Sequence, residues 1–160
     1  MLAHEEDLLK TVTATYHASI NVKPEAAFAY ISDLTRHGEW NDHLSVEALT
    51  PGPVQVGNAY ISWGRTLYEK RRNELKVTAY QPPTHFAFMA QDPDFKDVVH
   101  EFKISPQDGG SLVERTVTLP MTPVMEFLWH WVIWPLINRP ENNRSMAALK
   151  AQLESAVKQS

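Results

Sequence analysis

The sequence contains no cysteine, which removes disulfides, thiol catalysis and cysteine-ligated zinc from the functions open to it. It also lacks any long basic run. The tightest cluster is Lys70-Arg71-Arg72, inside a predicted strand. The net charge of −4 and a pI near 5.9 run against nucleic-acid binding, which ordinarily calls for a basic face, so no nucleic-acid partner is expected. No apolar run is long enough to cross a bilayer. The longest stretch, Val124 to Ile137, is broken by Glu126, His130 and Pro135, well short of the twenty or so apolar residues a span needs. The first ten residues carry Glu5, Glu6 and Asp7 and no apolar core. No secretory signal is read there, and a cytoplasmic location is expected. Neither repeats nor low-complexity segments divide the chain, so residues 1–160 read as one domain, with 1–10 as a loosely ordered extension. Apolar content of 43% and charged content of 21% are ordinary for a globular protein.

What the chain does contain is strand pattern followed by one helical tail. From Val12 to Val22 the even positions are Val, Ala, Tyr, Ala, Ile and Val, and the odd ones are polar. That alternation predicts a half-buried strand, with His17 on its wet face. Pro24 suits the first position of a helix, which Ala27, Phe28, Ile31 and Leu34 give an apolar stripe. Asp33 or Thr35 can cap a second short turn ending near Trp40. Strand-like segments follow at 44–49, 58–65, 71–80, 85–91, 95–105 and 111–119, with 64–69 the least decided stretch. They are separated by Pro51-Gly52-Pro53, Gly57, Pro82-Pro83, Asp92-Pro93 and Asp108-Gly109-Gly110. Connections this short predict antiparallel hairpins. After Pro120 the period changes to helical. Val124, Met125, Leu128, Val132, Ile133 and Leu136 recur along it, Pro140 is expected to break or kink it, and Met146, Leu149, Leu153 and Val157 carry the stripe to the end.

This order resembles the START-like superfamily, more narrowly its polyketide cyclase/dehydrase and lipid-transport type. The matching residues are Ala18-Ser19-Ile20-Asn21-Val22-Lys23-Pro24-Glu25 leading into Phe28, then Asp33, Trp40, Val56-Gly57, Val77 before Pro82-Pro83, and Gly109-Gly110-Ser111 with Val113. The resemblance implies a helix-grip fold of the α+β class. A seven-stranded curved antiparallel sheet would wrap a long C-terminal helix, with two short helices between strands 1 and 2 and a hydrophobic cavity between sheet and helix. Members bind or carry lipids, sterols, quinones, hormones or aromatic polyketides, and a few catalyse cyclisation or dehydration. The family has no fixed catalytic motif to carry over.

Strand parity identifies polar groups that would face such a cavity. His100 shares a face with Val98, Phe102 and Ile104, and Arg115 shares one with Val113, Val117 and Leu119. A turn centred on Gln107 and Asp108 places Phe102 opposite Val113 and His100 opposite Arg115. Arg71 and Asn73 share a face with Leu75, Val77 and Ala79. A buried charge needs a partner, and Glu126 or a ligand carboxylate, carbonyl or phenol are the candidates. The alternative is an internal salt bridge or a solvated sheet edge. Trp63, Phe86, Phe88, Met125 and Trp129 are candidate walls, against the plainer reading of core packing. Glu126 and His130, four apart on one helical face, are a candidate acid/base pair or a surface pair. Asp42 and His43 lack further ligands at metal spacing, and His37 and His85 read as surface. No metal and no cofactor are expected.

Three functions compete. One is binding or transport of a small hydrophobic ligand whose polar end meets Arg115 and His100. The second is a cofactor-independent cyclase or dehydrase with His100 as base and Arg115 stabilising an enolate. The third is docking to a membrane or a partner, a second copy included, through the Trp129–Trp134 surface.

Overall fold

The computed structural model describes residues 9–65, 70–92 and 96–157. Residues 1–8 of the expected N-terminal extension, residues 66–69 and the first residue of the 95–105 strand lie outside the described residues, while Lys10, expected in the extension, opens β1. Strand β1 (Lys10–Ile20) is followed by helix α1 (Pro24–Ser32), a 3-10 helix (Leu34–Glu39) and β2 (Leu44–Ala48). Then come β3 (Ala59–Arg65), β4 (Lys70–Gln81), β5 (His85–Asp92), β6 (Lys96–Gln107) and β7 (Gly110–Met121). The helical tail has three parts: α2 (Pro123–Leu128), a π-helical segment (Trp129–Asn138) and α3 (Arg139–Val157). The sheet order is β1-β7-β6-β5-β4-β3-β2, every neighbouring pair antiparallel. This is the helix-grip arrangement.

The alternation in β1 is realised in the fold. Ala14, Tyr16 and Ile20 are buried, while Thr13, Thr15 and His17 face solvent. The inner face continues through Val113, Phe102, Ile104, Phe86, Val77 and Leu75, where it meets Phe28, Ile31 and Leu34 from the short helices and Met146, Leu149 and Leu153 from α3. Each such fully buried apolar side chain stabilises the fold by roughly 1.5–3 kcal/mol. Pro24 stands in the first turn of α1, and Asp33 caps the 3-10 helix by accepting from the Thr35 amide at 3.1 Å.

Two registers differ from the sequence expectation. The β6–β7 turn is centred on Asp108 and Gly109, both at positive φ (46° and 81°), because a two-residue hairpin of this hand needs that conformation twice and Asp-Gly supplies it. The pairing therefore moves by two residues: Phe102 stands opposite Arg115, and His100 opposite Val117. An even shift preserves the faces, so His100 and Arg115 become diagonal neighbours on the inner side. In β4, a bulge between Val77 and Ala79 brings Tyr80, not Ala79, into line with the inner residues. Tyr80 packs edge-on against Phe28 at 5.3 Å.

The tail departs furthest from expectation. Trp129 is buried, Met125 and Ile133 half-buried, whereas Val124, Leu128, Val132 and Leu136 face solvent. The winding explains the rotation. Pro135 has no N–H to give the Trp131 carbonyl, and the segment widens to i→i+5 bonding, ending with the Arg139 amide donating to the Trp134 carbonyl. Pro140 does not break the helix, which runs on from the π-helical segment into α3. The proline occupies the first turn of α3.

The far end of the sheet is closed at Gly110, where a Cβ would overlap the carbonyl oxygen of Ile20. Gly110→Ala should therefore lower stability by about 2 kcal/mol or more, measured as a fall in Tm. An unchanged Tm would show that the β7 start does not press on the end of β1.

Candidate functional site

Elements distant in sequence converge on Arg115, in the middle of β7. Its cross-strand neighbours are Phe102 on β6 and Tyr16 on β1, and only 7% of its surface is exposed. Nη1 donates to Asn142 Oδ1 on α3 at 3.1 Å, and Nη2 donates to His100 Nδ1 at 3.4 Å. The guanidinium carbon lies 5.6 Å from the centre of the Trp40 ring and 5.8 Å from that of Phe102, within cation–π range. Asn142 is itself oriented, its amide donating to the Asn138 carbonyl and Oδ1 at 2.9 and 2.8 Å. The Nε of Arg115 and the Nε1 of Trp40 are buried with no hydrogen-bond partner.

The electrostatics are those of one cation among neutral groups. Burial lowers the Arg115 pKa to about 10, offset in part by Tyr16 and Glu141, so the guanidinium stays charged at neutral pH. Burial first, then the Arg115 charge and His37, hold His100 well below the usual histidine value. Burial raises the Tyr16 hydroxyl to about 12. His37, predicted at the surface, is instead 2% exposed. Its ring lies 4.8 Å from Trp40 and 5.8 Å from Phe88, and its Nε2 bonds the Ile31 carbonyl at 2.8 Å. Burial pushes its pKa down to about 4 despite that bond. No described carboxylate forms an ion pair with Arg115.

The remaining sequence candidates distribute as follows. His100 stacks on Phe88 at 4.8 Å and 13°, and Phe86 and Phe88 are buried on the inner face. Asn73 is on that face two residues beyond Leu75, its Oδ1 buried and unpartnered. Arg71 follows, half-buried and opposite Gly64. Trp63 is on the other side of the sheet: Tyr60 and Ser62 turn inward, so parity sends Trp63 out beside Ser45 and Arg72, 37% exposed. Met125 and Trp129 form a second cluster with Leu119 and Met121 under the π-helical segment. Glu126 answers neither Arg115 nor His130; it pairs with Lys10 at 3.1 Å. His85 is not bare surface, since it meets Glu101 at 2.7 Å.

Asn142, Trp40 and His37 were not identified from the sequence as site residues. A signal for Asn142 exists: the stripe Met146, Leu149, Leu153 extended back one turn reaches it, and Asn138 is four residues earlier. His37 and Trp40 have no such signal, because the 3-10 helix that turns them inward has no apolar period of its own.

The model of the family described as polyketide cyclase/dehydrase and lipid transport matches residues 11–154. The chain belongs to that family. Among solved structures it is similar to the KanY protein, 21% identical with a TM-score of 0.68 over 91% of this chain and 99% of that one. It is also similar to TTHA0849 from Thermus thermophilus, 16% identical with a TM-score of 0.70 over 92% and 99%. SA2116 from Staphylococcus aureus, a protein of unknown function, has a TM-score of 0.74 at 10% identity over 94% and 98%. At these identities the likeness is one of fold. No curated protein matches the chain. Among the described residues no helix is long and apolar enough to cross a membrane. In this member of the family the outward side of the tail is apolar, with Phe127 69% and Trp131 68% exposed.

His37 and His100 are neutral in the folded protein, while the unfolded chain takes up protons as pH falls through 6.5, the ordinary histidine value. Stability present above pH 6.5 should therefore be lost progressively towards pH 4, on the order of 3 kcal/mol for His37 alone. Urea unfolding of wild type and His37→Gln across that range checks this. The wild type should lose more, and parallel curves would contradict it.

Proposed function

We propose that this protein binds a small, mostly apolar molecule between the curved sheet and the C-terminal helix, with the ligand's polar end at Arg115 and His100. One observation carries the reading: a guanidinium more than nine-tenths buried whose Nε has no partner. Leaving a buried donor unsatisfied costs about 1–3 kcal/mol, more beside a charge, and that cost is recovered when a ligand atom completes the bond. The surroundings fit an aromatic or aliphatic guest. Phe88, Phe102 and Trp40 present ring faces around the polar group, and family membership supplies an architecture associated with lipid transport and polyketide chemistry.

A cyclase or dehydrase reading would need His100 as a general base. Base strength works against it: an imidazole held well below the ordinary histidine value is a weak proton acceptor at neutral pH, where efficient base catalysis asks for a pKa near the working pH. Carriage or sensing of the ligand is the reading the charges favour.

The neutral aromatic probe N-phenyl-1-naphthylamine tests binding. Saturable binding is expected, with intermolecular NOEs from its rings to Phe88, Val98 and Phe102 on the inner face. Absence of saturation, or NOEs confined to Phe127, Trp131 and Leu136, would contradict the proposal.

A further inference from the structure

Resting on that reading, we infer that the site selects an apolar organic acid, one whose polar end is a carboxylate or comparable oxyanion, over neutral and cationic analogues. The two buried atoms left without a partner around Arg115, its own Nε and Trp40 Nε1, are both donors.

The argument begins with the Arg115–His100 contact. An arginine nitrogen can only donate, so His100 Nδ1, 3.4 Å from Nη2, is the acceptor and carries no proton. The single proton of the neutral ring is then on Nε2. That atom becomes a donor, on a ring stacked against Phe88. Arg115 Nε–H and Trp40 Nε1–H are buried and unpartnered. Two buried, unpartnered N–H groups, one belonging to a cation, thus stand on side chains in contact, and His100 adds a further donor to the same inner face. The acceptor beside them, Asn142 Oδ1, is already occupied by Arg115 Nη1, and its orientation is fixed by Asn138. Tyr16, on the strand next to Arg115, contributes no negative charge at neutral pH. Asn73 Oδ1, an open acceptor, is on β4, three strands from Arg115 and seven residues along from Tyr80, the β4 residue in line with Arg115.

A ligand amine would meet donors and a like charge, and a neutral amide would satisfy part of the array while leaving the cation uncompensated. A carboxylate has acceptor sites for both buried N–H groups and neutralises the buried guanidinium, and charge-assisted bonds of this kind are about twice as strong as neutral ones. Glu141, the acid that Arg115 feels from α3, is solvent-exposed and forms no ion pair with it. It does not supply the missing charge.

The test is a charge series on one skeleton, measured by calorimetry on the full chain: 2-naphthoate, 2-naphthamide and 2-naphthylmethylamine. The acid should bind at least about tenfold tighter than the amide, and the amine more weakly than either. Arg115→Met, which replaces the buried charge with an apolar chain of similar length, should remove the acid's advantage, costing the acid more affinity than the amide. Because the series is read on wild type, it stands even if that variant folds poorly. Equal affinities for acid and amide would overturn the inference while leaving apolar binding intact. Failure of all three ligands together with N-phenyl-1-naphthylamine would overturn the binding proposal itself. A second readout is the His100 tautomer, followed by 15N NMR at neutral pH. A protonated Nε2 and bare Nδ1 are expected, and a proton on Nδ1 would break the donor array and the inference with it.

Discussion

A guanidinium held inside the sheet with no described carboxylate paired to it is the constraint around which this molecule is organised. Transfer of an ion from water to a protein interior is costly unless charge or hydrogen bonds replace the lost hydration. Here the replacement is partial. Asn142 and His100 take two of the N–H directions of Arg115, the faces of Trp40 and Phe102 add cation–π attraction, and Nε is left open. A protein that needed only stability would do as well with an apolar side chain at this position. Retaining a buried, incompletely satisfied cation makes sense where something else completes it.

The fold delivers these groups from distant parts of the chain. Asp108 and Gly109 set the β6–β7 register and make His100 and Arg115 diagonal neighbours. The 3-10 helix brings His37 and Trp40 over the same strands. The π-helical winding around Pro135 turns Trp129 and Trp134 inward, where Trp134 meets Tyr16 at 5.6 Å, and lets α3 begin with Asn142 above Arg115. Near its other end α3 is tied down by Glu154, whose carboxylate accepts the Asn21 amide at 2.9 Å. The helix is thus fixed at one end to backbone and at the other to the polar cluster.

Much of this was legible in the sequence, for identifiable reasons. Strand positions followed from period-two alternation in β1 and from turn residues between the later strands, and the inward direction of His100 and Arg115 followed from parity, which an error of two residues leaves intact. Parity applied to β3 would equally have sent Trp63 outward; aromatic character was given too much weight there. The rotation of the helical tail was not legible, because a 3.6-residue period assumes α-helical bonding and the tail bonds at i→i+5 through Pro135. His37 escaped notice because its burial comes from tertiary packing of a six-residue turn.

The most direct test of the central claim is a crystal structure of the complex with 2-naphthoate. The account predicts the naphthyl ring between sheet and helix and a carboxylate oxygen at hydrogen-bonding distance, about 2.7–3.0 Å, from Arg115 Nε. A ligand seated on the exposed face of Phe127 and Trp131, or a carboxylate turned to bulk water with Nε still unpartnered, would contradict it.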